Sequence, residues 1–146
     1  MKIRNFKISD SKNLSELNLF CFKEPTKHLD FLKFGNDKNY KIFIGEFKNN
    51  LVGYLVIRVI QSEDLCEIIS IGVHPDLRNR GFGANLMSFL INYLKENNSK
   101  KIILEVANSN FSANKLYEKY NFKSISVRKA YYLNNEDANI MVLKLD

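Results

Sequence analysis

The 146-residue chain has no tryptophan, only two cysteines and two prolines, and no apolar run long enough to span a bilayer. The longest apolar stretch in mid-chain, Leu51 to Ile57 counting Gly53, stops at Arg58, whereas a membrane helix needs about 20 such residues. The first residues, MKIRNFKISDSKNL, lack an apolar core followed by a small-residue cleavage site. These absences predict a soluble, cytoplasmic chain with no membrane partner. Cys21 and Cys66 lie far apart without CxxC spacing, so free buried thiols are expected rather than a disulfide. His28 and His74 share no ligand spacing with them, so no metal is expected. The low Pro and Gly content, with 45% hydrophobic residues, excludes a disordered or collagen-like chain. The length predicts one domain over residues 1–146.

What is present is an excess of positive charge: 22 basic against 16 acidic residues, formally +6. Such a chain attracts polyanions, either nucleic acid or a phosphorylated small molecule. Most of the basic residues are lysines spread along the sequence and read equally well as a solvated surface. The arginines are distributed unevenly, with Arg78 and Arg80 in one short loop that also holds two glycines.

Periodicity predicts a strand over Lys2–Lys7, then a helix capped by Ser9 or Asp10 and running to Phe22. A shorter helix follows over Thr26–Phe34. A strand over Tyr40–Phe47, a turn at Asn49-Asn50 and a strand over Leu51–Gln61 form a hairpin. Leu65–Val73 is a β-branched strand, and Gly83–Asn97 is an amphipathic helix. Lys101–Ala107, nearly continuous in apolar residues, is expected to be buried on both faces. A helix over Ser112–Tyr120 and a hairpin of Phe122–Leu133 with Ala138–Leu145 complete the chain. This order predicts an α/β fold with a mixed, mostly antiparallel sheet and helices on both faces.

The segment RNRGFGAN between a strand and an amphipathic helix suits a phosphate. Helix N-terminal N–H groups and the helix dipole favour an anion. Gly81 and Gly83 let the backbone approach it, and Arg78 and Arg80 add fork-shaped permanent charges. A Walker A string is absent, and a dinucleotide fingerprint fails because Leu86 stands at its third glycine position. The R/Q-x-x-G-x-G/A loop of acyl-CoA-binding transferases is matched fully by Arg78-Asn79-Arg80-Gly81-Phe82-Gly83.

On these residues, together with LEVANSNFSANKLYEKYNF and YYLNNEDANIM, the chain resembles the GNAT N-acetyltransferase superfamily over nearly its whole length. It is most similar to the RimI-like and archaeal protein N-terminal acetyltransferases. The resemblance implies a sheet splayed between its fourth and fifth strands, with acetyl-CoA as co-substrate in the gap. It further implies that Ile71, Gly72 and Val73 offer strand backbone to the pantetheine and thioester. Arg78, Asn79, Arg80, Gly81, Phe82, Gly83 and Ala84 would hold the pyrophosphate, and Asn110 the pantetheine arm. Where RimI-like proteins carry a Pro-Trp-Ser type segment shaping the acceptor pocket, this chain reads FKEPTKHLDF.

Acyl transfer to an amine needs a neutral amine, a donor for the developing oxyanion and a proton for the departing thiolate. Two carboxylates are candidate bases. Glu105 interrupts an otherwise apolar strand and matches the base position of RimI-like enzymes. Glu67, eleven residues before Arg78, matches the base of the histone-acetylating branch. Either could instead be a solvated or salt-bridged strand residue. The Val73 N–H is the candidate oxyanion donor. Tyr117 is the candidate acid, or else a core aromatic. Of Tyr131 and Tyr132, at a hairpin end, alternation lets one clamp an acceptor peptide. His74, in a loop, is expected to be solvent-exposed and not catalytic.

The expected function is therefore transfer of the acetyl group of acetyl-CoA to a primary amine, foremost a protein N-terminal α-amino group. Two alternatives stand beside it. One is acetylation of a small amine such as a polyamine or amino sugar; the other is a non-catalytic module binding CoA or nucleic acid. No nucleic-acid motif is present, so no direct nucleic-acid contact is expected.

Overall fold

A computed structural model describes residues 1–22 and 28–146. The start of the predicted second helix and part of the FKEPTKHLDF segment fall on residues 23–27, outside the described residues. In chain order the elements are β1 (Lys2–Asn5), α1 (Ser11–Cys21), α2 (His28–Asn36), β2 (Tyr40–Phe47), β3 (Asn50–Ile60), β4 (Leu65–Val73), α3 (Phe82–Glu96), β5 (Lys101–Ala107), α4 (Phe111–Lys119), β6 (Lys123–Arg128) and β7 (Ala138–Lys144). Short 3-10 turns precede α1, β4 and α3. The described strands form a seven-stranded sheet of order β1-β2-β3-β4-β5-β7-β6. Every pairing is antiparallel except β4 with β5.

Local chemistry moves several predicted boundaries. Lys48 and Asn49 take φ of 51° and 63°, so they are the central residues of the hairpin turn, and Asn50 already pairs with Phe47. Asp10 does not cap α1 with its side chain. Its carboxylate accepts instead from the Lys7 N–H at 2.7 Å and from Arg4 at 2.8 Å. The Arg4 guanidinium thereby holds the Asp10 carboxyl below the usual carboxylate range. Arg4 also pairs with Glu46, tying β1 to both β2 and the entry of α1.

The sheet separates two cores. On one face α3 and α4 cover Leu55, Ile57, Cys66, Ile68, Ile102, Leu104 and Val106. On the other, α1 and α2 cover Ile42, Ile44, Tyr54 and Val56. The core stripe of α3 is Leu86, Met87, Leu90 and Leu94, all fully buried, as a helix of 3.6 residues per turn requires. Strand β5 is not buried on both faces as predicted. Ile102, Leu104 and Val106 are buried, while Ile103, Glu105 and Ala107 are half-buried.

One irregularity organises the centre of the sheet. Val56 pairs with Ser70 but Ile57 pairs with Ile68, which leaves Ile69 unpaired as a β-bulge. Because side chains alternate with period two, the extra residue switches the faces of everything after it. Cys66 and Ile68 point into the α3 core, and after the bulge Ile71 and Val73 do so. Ser70 and Gly72 face α1 and Tyr54. β4 pairs with β5 only from Leu65 with Lys101 to Ile68 with Leu104. Beyond that point the two parallel strands part, which is the splay the resemblance implied.

Candidate active site

Two cavities meet at the split. The first, of about 670 Å³, is walled by the end of β4, the 77–84 loop and α4. The second, of about 380 Å³, is walled by α1, α2, the bulge of β4 and the end of β5. Both touch Phe22, Ile71, Asn110, Ala113 and Tyr117. Apart from Phe22, the residues that both share lie at the parting of β4 and β5 and on the facing part of α4, so the two cavities adjoin there.

The first cavity has the features of an anion site. Gly81 stands at the N-cap of α3 with φ of +84°, the left-handed region that glycine enters without penalty. The first bond inside the helix is Asn85 N–H to the Gly81 carbonyl at 2.9 Å. The N–H groups of Phe82, Gly83 and Ala84 therefore have no partner within α3. A Cβ added at Gly83 would meet only Leu116 Cδ2, at 3.5 Å, so the space beside that glycine is not needed for the protein's own packing. Arg78 bends back so that its Nε donates to the Val73 carbonyl at 3.1 Å. Asn79 and Arg80 are exposed on the loop.

The strand backbone at the split is divided by the ladder. His74 N–H donates to the Val52 carbonyl, and Gly53 registers with Val73. In antiparallel alternation this turns the peptide groups of Ile71 and Val73 away from β3 toward the gap, and those of Gly72 toward β3. Ile71 and Val73 can thus offer backbone to a ligand; the Gly72 backbone faces the neighbouring strand. The Val73 carbonyl takes Arg78 and the Cys21 thiol (3.5 Å), which leaves its N–H as the outward donor. Burial raises the Cys21 thiol above its usual range. Cys21 is half-buried rather than buried; Cys66 is enclosed, and burial pushes its thiol up to about 12.

Glu105 reaches the second cavity from the face of β5 opposite its core residues. Its Oε1 pairs with Arg128 Nη1 at 2.9 Å, with Glu105 24% and Arg128 58% exposed. A pair this open contributes about 1 kcal/mol or less and separates readily. Glu67 is placed differently. It lies where β4 and β5 are still paired, 3.8 Å from Arg58, and lines neither cavity. The structure brings Glu105, but not Glu67, to the split.

Tyr117, on α4, is a core aromatic that also lines both cavities. Its ring packs on Phe122 with centroids 5.6 Å apart inside the α3 core, yet it borders both cavities. Burial raises its phenol well above the ordinary value, so it keeps its proton. Asn110 caps α4 through its side-chain oxygen, which accepts from Ala113 N–H at 3.2 Å. That cap leaves the amide NH₂ as a donor at the mouth of both cavities.

Tyr131 and Tyr132 do not lie on a strand, because β6 ends at Arg128, so strand alternation does not govern them. Their rings stand perpendicular, with centroids 5.1 Å apart. A hydrogen bond to Glu105 raises the Tyr131 phenol, and burial, with Glu105 nearby, raises that of Tyr132. Both therefore converge on Glu105. His74 is half-buried rather than solvent-exposed. Its ring packs on Phe20, and its Nδ1 accepts from Asp76 N–H, fixing the turn before the loop.

Sequence reasoning passed over Arg128, Ser70 and the bulge. The one available signal was the adjacent pair Ile68-Ile69, where the alternation of CEIISIGV fails. Arg128 meets Glu105 only because β6 and β5 both pair with β7, which nothing in the sequence marks. Among the described residues, no cluster of three or more His, Cys, Asp or Glu could hold a metal, and no helix is long and apolar enough to cross a membrane.

The split sheet, the glycine-capped helix and the paired cavities define an acyl-CoA transferase architecture. The model of the acetyltransferase (GNAT) family matches residues 11–122, and the chain belongs to that family. It is an acetyl-CoA-dependent N-acetyltransferase. It is 29% identical over 154 residues to an N-alpha-acetyltransferase of Saccharolobus solfataricus, covering 98% of this chain and 92% of that one. The crystal structure of the ribosomal-protein-S18-alanine N-acetyltransferase from Escherichia coli superposes with a TM-score of 0.91 at 25% identity, covering 99% of this chain and 94% of that one. That of Ard1 from Thermoplasma volcanium gives 0.89 at 22% identity, covering 99% and 97%.

Proposed function

We propose that the chain acetylates the α-amino group of protein N-termini, with Glu105 as general base, Tyr117 as general acid and the Val73 N–H as oxyanion donor. The observation that carries this reading is the junction of the two cavities at Tyr117, with Glu105 and Tyr132 on the second side only. The relatives' names support the choice of acceptor.

In this reading the Phe82, Gly83 and Ala84 N–H groups with Arg78 and Arg80 bind the pyrophosphate of acetyl-CoA, which supplies an activated acyl thioester. Asn110 and the Ile71 backbone hold its arm. An incoming ammonium takes the place of Arg128 at Glu105, and the carboxylate accepts its proton directly or through water. An α-amino group, with a pKa of about 7.7–8.0 against about 10.4 for lysine, needs less help to become neutral. As the C–N bond forms and the C–S bond breaks, the Val73 N–H donates to the acyl oxygen. The Tyr117 hydroxyl donates its proton to the departing sulfur, and the second proton shed by the new amide nitrogen restores the phenol through water. Tyr131 and Tyr132 flank the acceptor chain.

The test is a thiol-release assay over N-terminal peptides, amino sugars and polyamines. Turnover of peptides is the expected result; turnover of amino sugars or polyamines alone would overturn the choice of acceptor.

A further inference from the structure

We infer that the Ser70 hydroxyl is a pre-oriented donor in the second cavity that recognises the carbonyl oxygen next to the reacting amine, so that the chain selects α-amino amides over plain amines. The inference rests on the acceptor being a protein N-terminus.

The argument starts from a buried polar chain on the α1 face. Asn18 Nδ2 donates to the Tyr54 hydroxyl oxygen at 2.6 Å, and that oxygen lies 2.6 Å from Ser70 Oγ. Tyr54 is 0% exposed, so its proton has no water to go to and needs a protein acceptor. An amide nitrogen cannot accept; Ser70 Oγ can. Tyr54 therefore donates to Ser70. A serine hydroxyl carries one proton, and with an incoming bond from Tyr54 that proton is turned away from the phenol. Ser70 lines the second cavity together with Glu105. The hydroxyl thus offers a donor into the space where the acceptor sits.

The bulge at Ile69 is what allows this. Without the extra residue Ser70 would share the face of Cys66 and Ile68, pointing into the α3 core. The register shift is therefore tied to a polar contact, not only to the parting of the strands.

The chemistry of the acceptor follows. Glu105 is a carboxylate and takes the amine end. In an α-amino amide, the carbonyl carbon is bonded to the carbon that carries the amine, so an amine held at Glu105 keeps its carbonyl within the same cavity. That oxygen can only accept, and Ser70 supplies a donor. A polyamine has no acceptor at this position.

The experiment compares an alanyl peptide with its analogue in which the first carbonyl is reduced to CH₂. The ratio of kcat/KM between the two is measured for each enzyme. Ser70→Ala should lower the preference for the peptide by about 3- to 10-fold, mainly through KM, the size of one neutral hydrogen bond. Ser70→Cys, which keeps the volume but is a weak donor, should shift it the same way, and Ser70→Thr should keep it. Tyr54→Phe should give a smaller loss, because the Ser70 proton is then free to rotate. Acetyl-CoA affinity is read on each variant to verify the fold. A ratio unchanged in both Ser70→Ala and Ser70→Cys, even with slower turnover on both acceptors, overturns the inference and leaves the choice of acceptor standing. A wild-type enzyme that acetylates only non-peptide amines overturns both.

Discussion

The two halves of β4 make different structures from the same kind of sequence. From Leu65 to Ile68 the strand is closed on both sides by β3 and β5. From Ser70 to Val73, past the bulge, it keeps β3 and loses β5. In the closed half Cys66 and Ile68 belong to the core and Glu67 is held by Arg58. In the open half the peptide groups of Ile71 and Val73 face the gap, and two cavities adjoin them. Both halves are mostly apolar. The comparison shows that the site comes from withdrawing a neighbour rather than from adding polar side chains. A parallel strand that stops pairing exposes backbone donors and acceptors, and in the proposed function the co-substrate supplies the missing partners.

The sharpest way to break this comparison is to neutralise one carboxylate from each half. Glu105→Gln is expected to lower kcat/KM by about 10²–10⁴, the range for a general base, with acetyl-CoA affinity nearly intact. Glu67→Gln is expected to stay within about twofold, since an exposed pair with Arg58 contributes little. Steady-state kinetics on both variants decides it, and the reverse pattern would move the base to the closed half.

A somewhat smaller loss, about 10²-fold, is expected for Tyr117→Phe. It should shrink with an acyl donor whose thiol leaves more readily, because such a thiol needs no proton. Glu105→Gln should show no such rescue. Because burial holds the Tyr117 phenol above its ordinary value, its proton remains in place as pH rises through 9. The wild-type rate should therefore show no alkaline fall in that range from this group, which a pH profile of kcat checks.

At the phosphate end, Gly83→Val is expected to weaken acetyl-CoA binding by about tenfold or more, read by calorimetry. The new Cβ meets only Leu116 at an ordinary contact distance, so the melting temperature should change little. Unimpaired binding by the folded variant would remove the loop from the site.

The smallest effect separates the two thiols. Cys21 borders the first cavity and is half-buried, while Cys66 pairs with Ile102 in the closed half and is fully enclosed. A maleimide at pH 8 should label Cys21 alone, slowly, and acetyl-CoA should protect it. Peptide mapping that finds Cys66 labelled in the native protein would mean the closed half opens.

Much of this was legible in the residues. Helix α3 was readable because its apolar stripe repeats at the helical period and its start is marked by glycines. Glu105 was readable because a carboxylate in an apolar strand is a local pattern, whereas Asn110 was singled out through the family resemblance and its role as the cap of α4 is a structural finding. The ends of β6 and the Lys48-Asn49 turn were less so, since either side of each boundary carries residues that suit both states.

What the sequence by itself determined is the set of elements, the anion loop and the carboxylate candidates, because period, capping and glycine geometry act over a few residues. Which carboxylate faces the gap, which peptide groups point into it, and that Arg128 and Tyr131 meet Glu105 while Ser70 lines the same cavity were decided only by the tertiary structure. Those facts depend on strand register and on one extra residue at Ile69. Register is fixed by cooperative packing of both faces across the sheet, and no local segment carries it.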